Sequence, residues 1–138
     1  MGQGSIIGYE INEKTCQISF YNDQELEPDT LEVDSDNYQI PLIIGKLRDT
    51  WAYGKEAKRL VTIKEGFTVT RLLSKSLAGD KIEFGEETYD AVWLLSQFIQ
   101  MSLQPFPEIE GIVFTVPSLT EELAQMLRGI AVRMNIDK

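Results

Sequence analysis

The sequence predicts an α/β fold with a mixed sheet: antiparallel hairpin strands first, a parallel strand later, and helices packed on them. Three observations predict it. The opening residues alternate apolar and polar at the two-residue period of a strand. From Glu86 onward, apolar residues recur at helical spacing. Between that stretch and a last amphipathic run lies a short, strongly apolar segment, residues 111–116, of the type buried in a sheet.

The elements follow in order. Residues 5–11 read as a first strand, Asn12-Glu13-Lys14 as a polar turn, and residues 15–21 as a return strand with Cys16, Ile18 and Phe20 on one face. A third strand is expected near residues 28–33, with acids on its outer face. Residues 38–45 form an apolar run containing Pro41, which suits an edge strand or extended segment. A short strand over 51–54 and a helical turn over 55–60 come next. Within 61–84 a helix is expected over 69–77, ending near Gly79. The long helix starts at Glu86, with Glu86, Glu87 and Asp90 in its first turn where the dipole favours acids, and with Trp93 and Phe98 in the core. Pro105 and Pro107 stop it. After the strand at 111–116, Thr120 or Ser118 caps a final helix whose inward face is Leu123, Met126, Leu127, Ile130 and Met134.

The composition narrows the function. With 138 residues the chain is expected to form one domain, 1–138, with a real core. It holds no histidine and one cysteine. A His-ligated zinc site, a Ser-His-Asp or Cys-His nucleophile and an intramolecular disulfide are therefore excluded. Cys16, on a strand-like alternation, reads as a small buried side chain more readily than as a reactive thiol. The net charge of −9, from 22 acidic against 13 basic residues, opposes binding to nucleic acid. No apolar run approaches the roughly 20 residues that span a bilayer, and residues 1–5 lack a secretory pattern, so a cytoplasmic location and no membrane partner are expected. The acids between Glu25 and Asp36 read as a solvated edge and turn.

Strands followed by helix, strand and helix are also the order of the ribonuclease-H-like fold, and three local stretches carry the resemblance further. Ile7-Gly8-Tyr9-Glu10-Ile11-Asn12 with its return strand resembles the first phosphate-binding hairpin of heat-shock chaperones, sugar kinases and actins. Ile40-Pro41-Leu42-Ile43-Ile44, then Gly54-Lys55-Glu56-Ala57-Lys58, resembles a chaperone strand leading to Gly-x-x-Ala-Lys. Gly111-Ile112-Val113-Phe114-Thr115-Val116-Pro117 resembles a chaperone strand ending in Thr-Val-Pro. Together they resemble the N-terminal portion of an actin-like ATPase domain, most nearly a bacterial actin-like family of unassigned function.

That resemblance implies a nucleotide-binding set of Glu10, Asn12 and Lys58, with ATP and magnesium bound in a full-length protein and neither in the isolated chain. It also implies that this chain opens a longer polypeptide, whose remaining half is its natural partner and whose absence could drive homodimerisation. In the family, Asp stands where Glu10 is and Gly where Asn12 is. Glu10 keeps the charge that organises magnesium, or is simply a solvent-facing carboxylate. Asn12 occupies space that phosphate would use, or is a plain turn residue. Lys58 falls where the chaperones place a lysine that points at the nucleotide phosphate; the alternative is a surface lysine. Glu13 adds negative charge where a triphosphate would sit.

The expected function is thus an actin-like subdomain with a degenerate phosphate hairpin, part of a larger nucleotide-binding or scaffold protein and not catalytic alone. A non-nucleotide-binding interaction scaffold is the alternative. A ribonuclease-H-like nuclease is remote, because residues 114–117 end the late strand without an acid for paired metals.

Overall fold

The computed structural model describes residues 5–21, 29–30, 39–104, 106, 109–117 and 120–133. In chain order the elements are β1 (Ser5–Ile11), β2 (Thr15–Tyr21), β3 (Asp29–Thr30), β4 (Gln39–Pro41), β5 (Ile44–Leu47), β6 (Thr50–Tyr53) and α1 (Lys55–Ile63). There follow β7 (Phe67–Val69), α2 (Leu72–Ala78), β8 (Lys81–Phe84), β9 (Glu87–Asp90), α3 (Ala91–Ser102), β10 (Ile109–Thr115) and α4 (Glu121–Arg133). The architecture is mixed α/β, with a mixed sheet. The chain divides into two compact units, one of Met1–Asn12, Cys16–Gln39 and Gln104–Lys138, the other of Glu13–Thr15 and Ile40–Leu103.

In the first unit the main sheet runs β10-β1-β2-β3. β1 and β2 pair antiparallel with Ile11 opposite Cys16, β3 pairs antiparallel with β2, and β10 lies parallel to β1 with Tyr9 opposite Phe114. Alternation decides what is buried. Ile7, Tyr9, Ile11, Cys16 and Ile18 are all sequestered on one side. Tyr9 meets Phe114 edge-on at 5.7 Å between ring centroids, and Phe20 meets Phe106 at 5.0 Å. The run at 111–116 is less enclosed than its composition suggests: Ile112 is buried, but Val113 is 60% exposed. Ile112 lies beside Ile7 on the buried face, and alternation puts Val113, beside Gly8, on the other. α4 starts where Thr120 places its hydroxyl to accept the Leu123 N–H at 3.1 Å, a side-chain cap. Its buried positions are Leu123, Leu127, Ile130 and Ala131, while Met126 is half-buried. Of the third strand expected over 28–33, Asp29–Thr30 falls among the described residues; Ser118 and Met134 fall outside them.

The second unit is built on a small sheet ordered β6-β5-β7, all antiparallel. The apolar run at 38–45 is two strands rather than one, with Tyr38 outside the described residues. Pro41 closes β4, and β5 is the centre of its sheet rather than an edge. Gly45 allows this. A Cβ there would lie 2.7 Å from the Phe67 carbonyl oxygen and 2.9 Å from Thr68 Cγ2, closer than real contacts permit.

α1 is longer than one turn because Lys-Glu-Ala-Lys-Arg-Leu favours a helix. Gly54 caps its start at φ 61°, and the N–H of left-handed Lys64 reaches the Leu60 and Val61 carbonyls at its end. The helix expected over 69–77 begins later, at Leu72; Val69 belongs to β7, where β-branched and aromatic neighbours favour extension. It closes on Gly79 as expected, with φ 73°.

The long helix corrects the sequence reading most. It begins at Ala91, with no acid in its first turn. Glu87–Asp90 is a strand, because Gly85 at φ 68° turns the chain back between Phe84 and Glu87. Asp90 sits at the N-cap but bonds Lys81 at 2.6 Å instead of the helix backbone. Phe98 is fully buried, as are Leu94, Leu95 and Ile99. Each contributes roughly 1.5–3 kcal/mol. Trp93, expected in the core, is 39% exposed.

Candidate functional site

The residues singled out from sequence fall in different places. Glu10 is exposed near the end of β1, opposite Thr115 of β10. Asn12 is half-buried in the turn that follows. Lys58 belongs to the second unit, exposed on α1, where its N–H closes the first helical turn on the Gly54 carbonyl at 2.9 Å.

A phosphate cradle in a hairpin needs successive N–H groups turned inward, which takes a residue in the left-handed region. Among the described residues the non-glycine members of that region are Arg48, Lys64 and Arg71, so Asn12 is not one. The turn is instead tied down by its acid: the Ser74 hydroxyl donates to the Glu13 carboxylate, and the Leu42 N–H donates to the Lys14 carbonyl at 2.8 Å. Among the described residues no cluster of three His, Cys, Asp or Glu could hold a metal ion. Cys16 behaves as its pattern suggested. Burial pushes its thiol up to about 12, against a smaller opposing effect of the Tyr9 hydroxyl 3.6 Å away.

A different constellation forms where no local motif announced one. Cross-strand neighbours Lys46 and Trp51, on β5 and β6, meet Tyr89 of β9 and Trp93 of α3. Tyr89 and Trp93 stack at 5.3 Å with planes 16° apart, and Trp51 meets Trp93 at 5.9 Å and Phe84 at 6.2 Å. Phe67 extends the cluster, stacked on Phe84 at 5.6 Å and itself 47% exposed.

Lys46 closes the group. Its ammonium lies 5.1 Å from the Trp51 ring centroid and 5.8 Å from that of Tyr89, within cation–π range. It donates to Glu87 Oε1 at 2.9 Å and to the Tyr89 hydroxyl at 3.2 Å, and that hydroxyl donates to the same carboxylate at 2.6 Å. The Lys46 side chain is 16% exposed, its partner Glu87 60%. Hydrogen bonds from Tyr89 and then Lys46 hold the Glu87 carboxyl below the ordinary carboxylate range. Those to Glu87 and Tyr89 hold the Lys46 ammonium above the ordinary lysine value. The result is a partly solvent-facing aromatic surface with a charge pair at its rim.

These features define a mixed α/β protein whose described surface presents a cluster of aromatic and ionic groups. The chain belongs to a family of unknown function (DUF5716), whose C-terminal model matches residues 27–138. No curated protein matches it.

Proposed function

We propose that this chain is a protein-interaction module built on a ribonuclease-H-like subdomain of the actin type, and that its first hairpin keeps the paired strands of a phosphate hairpin without the turn that phosphate needs. The fold half of this reading is supported by the sheet. Three antiparallel strands in the order β3-β2-β1 are followed, after β4–β9 and the helices α1–α3, by β10 parallel to β1 and then by α4.

The functional half rests on the aromatic surface. Large rigid side chains that reach solvent and are already immobilised by neighbours lose little entropy on binding, which is why Trp and Tyr recur at interface hot spots. Trp93 and Phe67 are such residues here. The hairpin argues in the same direction: Glu13 places a carboxylate in the turn that a triphosphate would have to enter, and Lys58 is surface-facing on α1.

Calorimetric titration of magnesium-ATP into the protein, with Glu10→Ala beside it, tests this. No saturable heat at millimolar nucleotide is expected for either. Saturable binding weakened by Glu10→Ala would restore the nucleotide reading.

A further inference from the structure

The small sheet of the second unit has two faces, and the aromatic cluster uses one. Gly45 faces the other way: a Cβ there would lie 3.4 Å from Leu60 Cδ1 of α1. On that side, between α1 and the β5–β6 hairpin, lies a groove of about 430 Å³. That is within the range of roughly 300–1,000 Å³ typical of sites that accept a ligand. Leu47, Leu60 and Ile63 give it apolar walls; Arg48 and Arg59 stand with Glu56 along it.

Three observations identify what it suits. First, the groove is basic within an acidic chain: its lining holds Arg48 and Arg59 against the single acid Glu56, where the whole chain is net −9. Second, the two arginines are little committed. Among the described residues Arg48 has no hydrogen-bond or ion-pair partner. Arg59 has a 4.0 Å contact to Glu56 in which both side chains are about three-quarters exposed, a pairing worth little. Third, Arg48 occupies a left-handed position, φ 58°, in the tight Arg48–Asp49 turn. That conformation disfavours every residue with a Cβ, here as at Lys64 and Arg71, and in this turn it sets the arginine at the edge of the groove.

We propose that this groove is the docking site for an acidic segment of a partner protein, with a carboxylate held between the Arg48 and Arg59 guanidiniums and a neighbouring aliphatic side chain set against Leu60 and Ile63. The inference goes beyond the aromatic surface to a second site and rests on the interaction reading. Guanidinium forks match carboxylates in geometry as well as charge. The apolar walls distinguish this groove from a phosphate-backbone track, and the net −9 repels densely charged nucleic acid and anionic bilayers more strongly than a segment with few acids.

The test is selection of a random dodecapeptide display library on the folded chain, followed by titration of the enriched peptides. Asp or Glu adjacent to Leu, Ile or Val should be enriched. Affinity should fall at least tenfold in Arg48→Glu and in Arg59→Glu, and severalfold in Ile63→Ser, with Lys81→Glu unchanged. Circular dichroism melts certify each variant as folded, and the alanine variant at the same position replaces any that is not. No enrichment, enrichment of basic or purely aromatic peptides, or insensitivity to both arginines would overturn the proposal. So would tighter arginine-dependent binding of a single-stranded oligonucleotide or of phosphatidylserine vesicles. Nucleotide binding in the ATP titration would instead strike the module reading itself, so the two failures are distinguishable.

Discussion

Two hairpins of the second unit turn on loops of the same length with opposite chemistry. Between β8 and β9, Phe84 faces Glu87 across Gly85–Glu86, and glycine takes the positive φ. Between β5 and β6, Leu47 faces Thr50 across Arg48–Asp49, and an arginine takes it. The first turn is relaxed and supports packing: the Phe67 ring lies beside Gly85, where an added Cβ would come within 3.3 Å of it. The second accepts strain to hold a guanidinium at the groove. A hairpin that serves the core and one that serves a surface can thus be told apart by their turn residues.

The largest expected effect lies in what both hairpins share. Trp51 touches Phe84, Tyr89 and Trp93, so Trp51→Ala should cost about 3 kcal/mol in urea unfolding. A loss below about 1 kcal/mol would mean that the cluster does not hold the hairpins. Gly85→Ala should cost about 1–2 kcal/mol, through the left-handed backbone and the Phe67 contact. Arg48→Gly should go the other way, gaining about 1 kcal/mol by relieving the turn. Like signs for the two substitutions would break the comparison.

The smallest effect is electrostatic. Glu87 titrates below its ordinary value, so its contribution is present above the unfolded carboxylate range and disappears as pH falls through the folded pKa. Lys46 titrates above its ordinary value, so its contribution is present below the unfolded lysine pKa and disappears as pH rises through the folded one. Glu87→Gln should therefore be slightly less stable than the parent at neutral pH, and the difference should vanish as pH falls through the folded Glu87 pKa, giving the variant a flatter acid limb.

Much of this fold was legible because strands announce themselves locally. The alternation in residues 5–21 placed β1 and β2, and Thr120 announced the cap of α4. The β8–β9 hairpin carried its signal too, in Gly85–Glu86, but the acids Glu86, Glu87 and Asp90 before an apolar stripe fit a helix N-terminus equally well. Tertiary pairing decided between them: Asp90 went to Lys81 and Tyr89 to Trp93. The aromatic site was invisible for a different reason. Lys46 and Glu87 lie 41 residues apart, and no spacing rule reaches that far. Glu10, Asn12 and Lys58 were readable as a motif, yet a motif cannot report the left-handed turn that phosphate needs. Nothing in residue type predicts an arginine at φ 58°.

The most direct measurement pairs stability with binding in one variant. Arg48→Gly should raise the urea midpoint while weakening the selected acidic peptide at least tenfold. An unchanged or lower midpoint, or retained affinity, would contradict the account that the strained turn is held for a partner.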